Sequence, residues 1–458
     1  MLHIPRILLA APASGAGKTM ITCGILQILK KKKRKISAYK CGPDYIDPMF
    51  HREVLGVNSY NLDTFLCGKE GVRSLLAKHG ADTDIAVLEG VMGYYDGLAG
   101  TSTEASAYDI ADTTRTPAVL IVDCKGSSVS VIPVIQGFLN YREDSHISGV
   151  ILNRISPMLY ERMKDRIEKE TNVTVYGYVP VLKDFVLESR YLGLKMPHEK
   201  ERIRDMLREL GAHLEQTVDV EGLQKLAFAA PDVKEGTDRE GSGRRCRTGN
   251  RNLRIGLARD EAFCFMYQDN LELLESKGAG IVPFSPLHDS HLPANLDGVL
   301  FYGGYPELYA RELSENKRMI WEVKEALQAG LPCMAECGGF MYLMEEIKDA
   351  KGHSFKMAGA LKGSSYQTPS LRRFGYLTLT GGKAFGKDVG EIPAHEFHYY
   401  DSDACGSAFV ARKPVSEKTW ACMVSTDTIL AGYPHIHYYG NPKVAEAFLQ
   451  TCETGGRR

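Results

Sequence analysis

The sequence predicts an α/β protein of two domains: an N-terminal doubly wound parallel sheet entered through a P-loop, and a C-terminal α/β domain. Three observations carry this. Apolar strand-like runs alternate with helical patterns in the first half, a polar glycine-rich segment breaks the composition at Asp232–Asn252, and the alternation restarts at Leu253. Strands that are apolar along their whole length and separated by helices belong to parallel sheets buried on both faces.

The first run, Arg6-Ile-Leu-Leu-Ala-Ala, leads into Ser14-Gly15-Ala16-Gly17-Lys18, where a secretory leader would need its cleavage site, so we read a buried strand. Further strands follow at Ile36–Lys40, Ile85–Glu89, Ala118–Asp123 and Ile147–Asn153. The basic run Lys30–Lys35 closes the first helix, where cations suit the dipole and remain solvated. The segment Asp232–Asn252 is nearly free of large apolar residues and cannot offset its ordering entropy, so it is read as a linker between domains 1–231 and 253–458. Beyond it come a strand at Leu253–Ala258, a helix near Tyr267–Ser276, and strands at Gly298–Tyr302, Leu331–Ala335 and Phe374–Leu379.

Composition narrows the function classes. The 458 residues leave room for two or three domains, and 56 Lys plus Arg against 57 Asp plus Glu give a net charge of −1. Neither nucleic acid nor an anionic membrane is attracted by such a balance. No apolar stretch reaches the roughly 20 residues of a membrane helix. The 11 cysteines lack metal-type spacing in a chain too long to need disulfide staples, which points to reduced thiols and a cytoplasmic location. A homodimer is compatible with this composition, which fixes no oligomeric state.

After the first strand comes Ala11-Pro12-Ala13-Ser14-Gly15-Ala16-Gly17-Lys18-Thr19, followed by a helical pattern. Glycines let successive backbone N–H groups curl round phosphate, the Lys reaches the outer phosphates, and the Thr hydroxyl suits Mg²⁺. Ser14 through Thr19 are therefore the candidate ATP-binding residues, although Pro12 stands where the pattern has its first glycine. Asp44 and Asp47 follow the second apolar run, Glu89 and Asp96 the third, and Asn153 ends the fifth. The C-terminal ends of parallel strands are where such sheets bind ligands, so the four carboxylates are candidates to converge on a Mg²⁺-phosphate. Turn capping is the competing reading for each of them, as it is for Asn153, whose alternative is a hydrogen bond to adenine.

Here the sequence resembles a known family. The P-loop variant, Gly42-Pro-Asp-Tyr-Ile-Asp-Pro-Met-Phe-His, Asn61-Leu-Asp, Glu89-Gly-Val-Met-Gly and Ser189-Arg-Tyr-Leu-Gly-Leu are similar to the ATP-dependent domain of the cobyrinate a,c-diamide synthases, itself similar to dethiobiotin synthetase. The resemblance implies a substrate carboxylate activated by the ATP γ-phosphate. It further implies Thr19, Asp47 and Glu89 at Mg²⁺ or the transferring phosphoryl, Lys18 and Lys40 stabilising that charge, and Asp44, Tyr45 and Asp96 on the corrinoid side. Tyr191 departs from the His expected in the Ser-Arg-His-Leu-Gly stretch.

In the second half, Leu331-Pro-Cys-Met-Ala-Glu336-Cys337-Gly338-Gly339-Phe340 reads as strand, sharp turn and helix. Such an elbow projects a nucleophile and sets its sulfur at a helix N-terminus, expected to lower the thiol pKa. Cys337 fits; Cys333, inside the strand, reads as core. Ala431-Gly-Tyr-Pro-His435-Ile-His437 supplies a base. It resembles the class I glutamine amidotransferases, but His437 stands where they carry Glu, leaving the group that would orient the imidazole missing or replaced. His435 is the expected base, with His437 and His398 as competitors. The backbone N–H groups of Gly304 and Gly338 are the expected oxyanion hole.

These features point to glutamine as ammonia donor with ATP and Mg²⁺ as cofactors, and the resemblance implies a corrinoid polycarboxylate, cobyrinate, as acceptor. Hydrogenobyrinate and nickel sirohydrochlorin are alternative acceptors of the same chemistry. A partition-type ATPase switch shares the P-loop variant but has no use for a cysteine elbow, and an amidotransferase-like sensor would not form a thioester at Cys337.

Overall fold

A computed structural model describes residues 1–182, 185, 197–234 and 252–455. The Ser189–Leu194 stretch, Tyr191 included, and residues 235–251 of the linker lie outside the described residues. The chain divides into two compact units, Met1–Thr237 and Asp238–Arg458.

The first unit contains β1 (Arg6–Ala10), α1 (Lys18–Lys31), β2 (Ile36–Cys41), α2 (Ile46–Phe50), β3 (Asn58–Leu62), α3 (Thr64–Gly80) and β4 (Ile85–Glu89). It continues through α4 (Ala107–Thr114), β5 (Ala118–Asp123), α5 (Val131–Asn140), β6 (Ile147–Asn153), α6 (Pro157–Thr171), β7 (Thr174–Val179), α7 (Pro197–Thr217) and α8 (Val220–Phe228). Its seven strands run in the order β3-β2-β4-β1-β5-β6-β7, and every pairing is parallel. Asn58–Leu62, read only as part of a motif, is β3, so the run ending at Glu89 is the fourth strand. Its weak apolar content hid it: Asn-Ser-Tyr-Asn-Leu sits at the sheet edge, where one flank needs no strand partner.

Packing fixes the first helix against the last part of the unit. A Cβ at Gly24 would lie 2.2 Å from Leu214 Cδ1, so a larger residue would force Leu214 to shift where α1 packs on α7. Arg6, fully buried, donates to Thr116 Oγ1 and to the carbonyls of Ile4, Thr114 and Pro231. A bridge between Leu2 and Val233 extends the unit's pairing into the segment read as linker.

The second unit opens with β8 (Leu253–Ala258), α9 (Gln268–Ser276), β9 (Ala279–Phe284), β10 (Gly298–Phe301), α10 (Ala310–Glu315), α11 (Lys317–Gln328), β11 (Cys333–Glu336) and α12 (Gly338–Leu343). Strands β12 (Glu346–Lys348), β13 (Ser354–Lys356), β14 (Ser364–Thr380), β15 (Lys383–Ala384), β16 (Lys387–Asp388) and β17 (Ile392–Ser402) follow. It closes with β18 (Phe409–Arg412), β19 (Thr419–Cys422), β20 (Val424–Ser425), β21 (Ile429–Gly432), β22 (His435–Ile436) and α13 (Pro442–Gly455). One sheet, β20-β21-β11-β10-β8-β9, is parallel except for β20, and a second, mixed sheet is built on the antiparallel pair β14 and β17.

Candidate active sites

The first site lies at the C-terminal ends of β1, β2 and β4. Register sets it: β4 lies between β1 and β2, so Glu89 is paired with Leu9 on one side and Lys40 on the other. Lys40 Nζ lies 2.6 Å from Asp47 Oδ2 and 2.7 Å from Glu89 Oε1. Thr19, in the first turn of α1, donates to Glu89 Oε1 at 2.7 Å and is 3.4 Å from Asp47 Oδ2. Thr19, Lys40, Asp47 and Glu89 therefore form one cluster, and Lys40, Asp47 and Glu89 are buried.

Electrostatics follow from that burial. It disfavours charge on Lys40, yet Asp47 and Glu89 overcome it and hold the ammonium well above its ordinary pKa. Burial pushes Glu89 up to about 7 against the pull of Lys40, while Asp47 is held below the carboxylate range because Lys40 outweighs its burial. Glu89 Oε2 is buried without a hydrogen-bond partner among the described residues. An orphaned carboxylate oxygen beside Thr19 and Asp47 is a hard-oxygen set of the kind a divalent cation with retained waters requires.

Lys18 is buried and donates to Ala13 O at 3.2 Å and to Met92 O. Burial first, then Lys40, depresses it to about 8. The rim Ala13-Ser14-Gly15 is exposed, and Gly17 has φ 93°. A Cβ on Gly17 would meet Asn153 Nδ2 at 2.3 Å. Asn153 sits beneath the loop and donates to Ala16 O at 2.8 Å, while its Oδ1 accepts from Arg154 N. Arg154, bound to Asp123, also donates to Gly15 O at 2.9 Å and was not singled out in the sequence.

Two of the four carboxylates gather and two do not. Asp44 Oδ1 accepts from the amides of Ile46 and Asp47, capping the short α2, and burial beside Asp47 raises it to about 6. Asp96 Oδ2 accepts from Gly93 N at 2.8 Å, a turn-capping role in its own loop. Tyr45 is half-buried at the start of α2. His51, missed as a site residue, is fully buried with Nδ1 3.1 Å from Ser59 Oγ and Nε2 3.9 Å from Glu89 Oε2.

The second site is an elbow between β11 and α12. Cys337 has φ 47° and ψ −108°, a strained conformation for a non-glycine residue, held by donation from its N–H to Gly432 O at 2.8 Å. Neighbouring small residues are obligatory: a Cβ on Gly339 would lie 1.9 Å from Phe301 O, and one on Gly338 would lie 3.1 Å from Gly304 N. Gly338 and Gly304 are thus adjacent beside the thiol. Cys333 is buried in the core.

One expectation is corrected: the helix N-terminus does not lower the Cys337 pKa. Burial raises it, with the Glu307 carboxylate as the next contribution, and α12 has only 6 residues to oppose them. A neutral buried thiol needs a base at the moment of attack. Burial also pushes Glu307, half-buried, up to about 7.

His435 is buried, and Gly303 faces its ring: a Cβ there would meet Cε1 at 2.7 Å. Its Nδ1 lies 3.5 Å from Glu336 Oε2, a residue sequence reasoning overlooked although it adjoins Cys337. His437 instead turns toward α9, with Nε2 3.9 Å from Asp269 Oδ2 and its ring tilted against Tyr267. His398 has both nitrogens engaged, Nδ1 with Tyr400 O at 2.5 Å and Nε2 with Glu396 at 3.4 Å, and stacks on Tyr433.

Comparison with known proteins gives two family matches. Residues 7–191 match the CobQ/CobB/MinD/ParA nucleotide binding domain, and residues 254–443 match the CobB/CobQ-like glutamine amidotransferase domain. A cobyrinate a,c-diamide synthase of Caldanaerobacter subterraneus subsp. tengcongensis is 38% identical over 98% of this chain and 99% of its own. Those of Clostridium acetobutylicum and Listeria innocua are each 37% identical, over 95% and 96% of this chain and 97% of theirs.

Proposed function

The chain belongs to the cobyrinate a,c-diamide synthase family, and we propose that its two domains divide one reaction, the ATP- and glutamine-dependent amidation of the a and c carboxylates of cobyrinate in cobalamin biosynthesis. The observation that carries this is the presence, in one polypeptide, of a P-loop over a Thr19–Lys40–Asp47–Glu89 cluster and of a strained cysteine elbow beside His435. Eleven cysteines without metal-type spacing, in a chain too long to need disulfide staples, support the cytoplasmic location.

In the second domain, His435 takes the Cys337 proton as sulfur attacks the glutamine amide carbon. The amide N–H groups of Gly304 and Gly338 receive the developing oxyanion, ammonia departs with the proton, and water hydrolyses the thioester to glutamate. In the first domain, Ser14 through Thr19 hold the ATP phosphates, and Thr19, Asp47 and Glu89 would hold Mg²⁺, which would neutralise phosphate charge. Lys18 and Lys40 position the transferring phosphoryl on a substrate carboxylate, and ammonia displaces phosphate from the acyl phosphate. Asp44, Tyr45 and Asp96 follow the C-terminal ends of β2 and β4 and are assigned to the corrinoid, Asp44 and Asp96 being held there by the turns they cap.

Product mass spectrometry tests the reading. With ATP and glutamine, cobyrinate is expected to gain two amides while hydrogenobyrinate and nickel sirohydrochlorin, offered in parallel, do not. A gain on another acceptor alone would rename the substrate, and no gain on any would remove the activity.

The depressed pKa of Lys18 adds a second expected result. Near pH 8 about half of these ammonium groups are deprotonated, and a polyphosphate beside them favours the charged form. ATP binding at pH 8 is therefore expected to take up a fraction of a proton, and affinity to fall as pH rises further. Calorimetry in two buffers of different ionisation enthalpy measures the uptake; identical apparent enthalpies would contradict it.

A further inference from the structure

We propose that Glu336 is the positioning residue of His435, taking the role that His437 is turned away from playing. The inference rests on the reading of Cys337 and His435 as the glutaminase pair. Glu336 ends β11 directly before the elbow, its side chain and that of His435 are 4% and 3% exposed, and its Oε2 lies 3.5 Å from Nδ1. The same carboxylate is fixed from behind, since Oε1 accepts from Ile436 N at 3.4 Å. Both ends of the contact are set by sheet register: Glu336 pairs with Gly432 in β21, and His435 with His395 in β17.

The chemistry follows from which nitrogen is committed. A carboxylate at Nδ1 selects the tautomer whose Nε2 carries the lone pair, and it stabilises the imidazolium formed when Nε2 takes the thiol proton. The buried Cys337 thiol makes that help necessary. Other titratable groups around the pair are His395 from β17, Cys337 in the elbow, Glu307 and Glu396 near its thiol, and Tyr302 and Tyr438 on the Glu336 side, whose hydroxyls bond each other at 2.8 Å. Burial holds His395 neutral, depressed to about 3, and keeps both tyrosine hydroxyls protonated. Among these carboxylates it is Glu336 that meets the imidazole of His435. Burial raises its carboxyl, and His435 draws it back down.

Glutamine hydrolysis by the full chain tests this with Glu336→Gln, which keeps the shape and an acceptor for Ile436 N, and Glu336→Asp, which keeps the charge. Glu336→Gln is expected to lower kcat about 10²-fold, the lower range of general-base contributions. Loss of the neighbouring carboxylate disfavours the protonated base, so the acid limb of the pH profile should move to lower pH. Glu336→Asp should keep the acid limb of the unmodified protein and lose less rate. A purely structural residue would lower the rate with the limb in place in both variants, and that result, or an unchanged rate in Glu336→Gln, overturns the proposal. Ammonia release from glutamine by Cys337→Ala would instead overturn the glutaminase reading itself.

Discussion

Cys337→Ala is expected to abolish glutamine-dependent amidation, by more than about 10³-fold, while synthesis from ammonium salts persists. The size follows from covalent catalysis: no neighbouring group can replace the sulfur that forms the thioester. Persistence follows from the division of the chain, because the Thr19–Lys40–Asp47–Glu89 cluster is built wholly within the first unit. Alanine also removes little packing, and the positive φ of the elbow was already strained with cysteine in place. Formation of amide product with each nitrogen source, measured side by side, checks the result. Loss with both sources would mean that the elbow serves the synthetase chemistry as well, and retention with both would remove Cys337 from the reaction.

Much of this arrangement was legible in the sequence where local chemistry dictates local shape. The P-loop, the apolar parallel strands and the elbow each need particular residues at adjacent positions, so a linear reading finds them. What escaped depends on distance along the chain. Glu336 adjoins Cys337 in the sequence, but its meeting with His435 arises only when β11 and β21 pair and β22 follows. Lys40 gains Glu89 only through the register of β2 against β4, and Asp47 only through the turn that brings α2 back over β2. Arg154 reaches Gly15 across the sheet, between positions with no sequence pattern in common. The long pair β14 and β17 was missed in part because its register shifts break the strict alternation by which half-buried strands are recognised. Asp44 and Asp96 illustrate the converse: carboxylates at strand ends that cap turns, which the spacing equally allows, instead of joining the Lys40 cluster.

Lys18→Met is expected to lower amidation from glutamine and from ammonium salts alike, by at least about 10³-fold, the scale contributed by one charge placed on a transferring phosphoryl group. Lys18 is a cleaner probe than Lys40. Removing Lys40 would leave Asp47 and Glu89 buried without their cation, and unfolding would then compete with loss of chemistry as the explanation. Among the described residues Lys18 makes no ion pair of that kind; its ammonium bonds carbonyls of the loop and of Met92, and burial already holds its pKa down to about 8. Methionine retains the apolar stem along the loop, so the protein should melt close to its unmodified temperature while product formation disappears. Equal loss with both nitrogen sources separates this variant from Cys337→Ala, in which only one source fails. Amidation at the unmodified rate would mean that the loop does not serve phosphoryl transfer, and the ATP-binding assignment of Ser14 through Thr19 would fall with it.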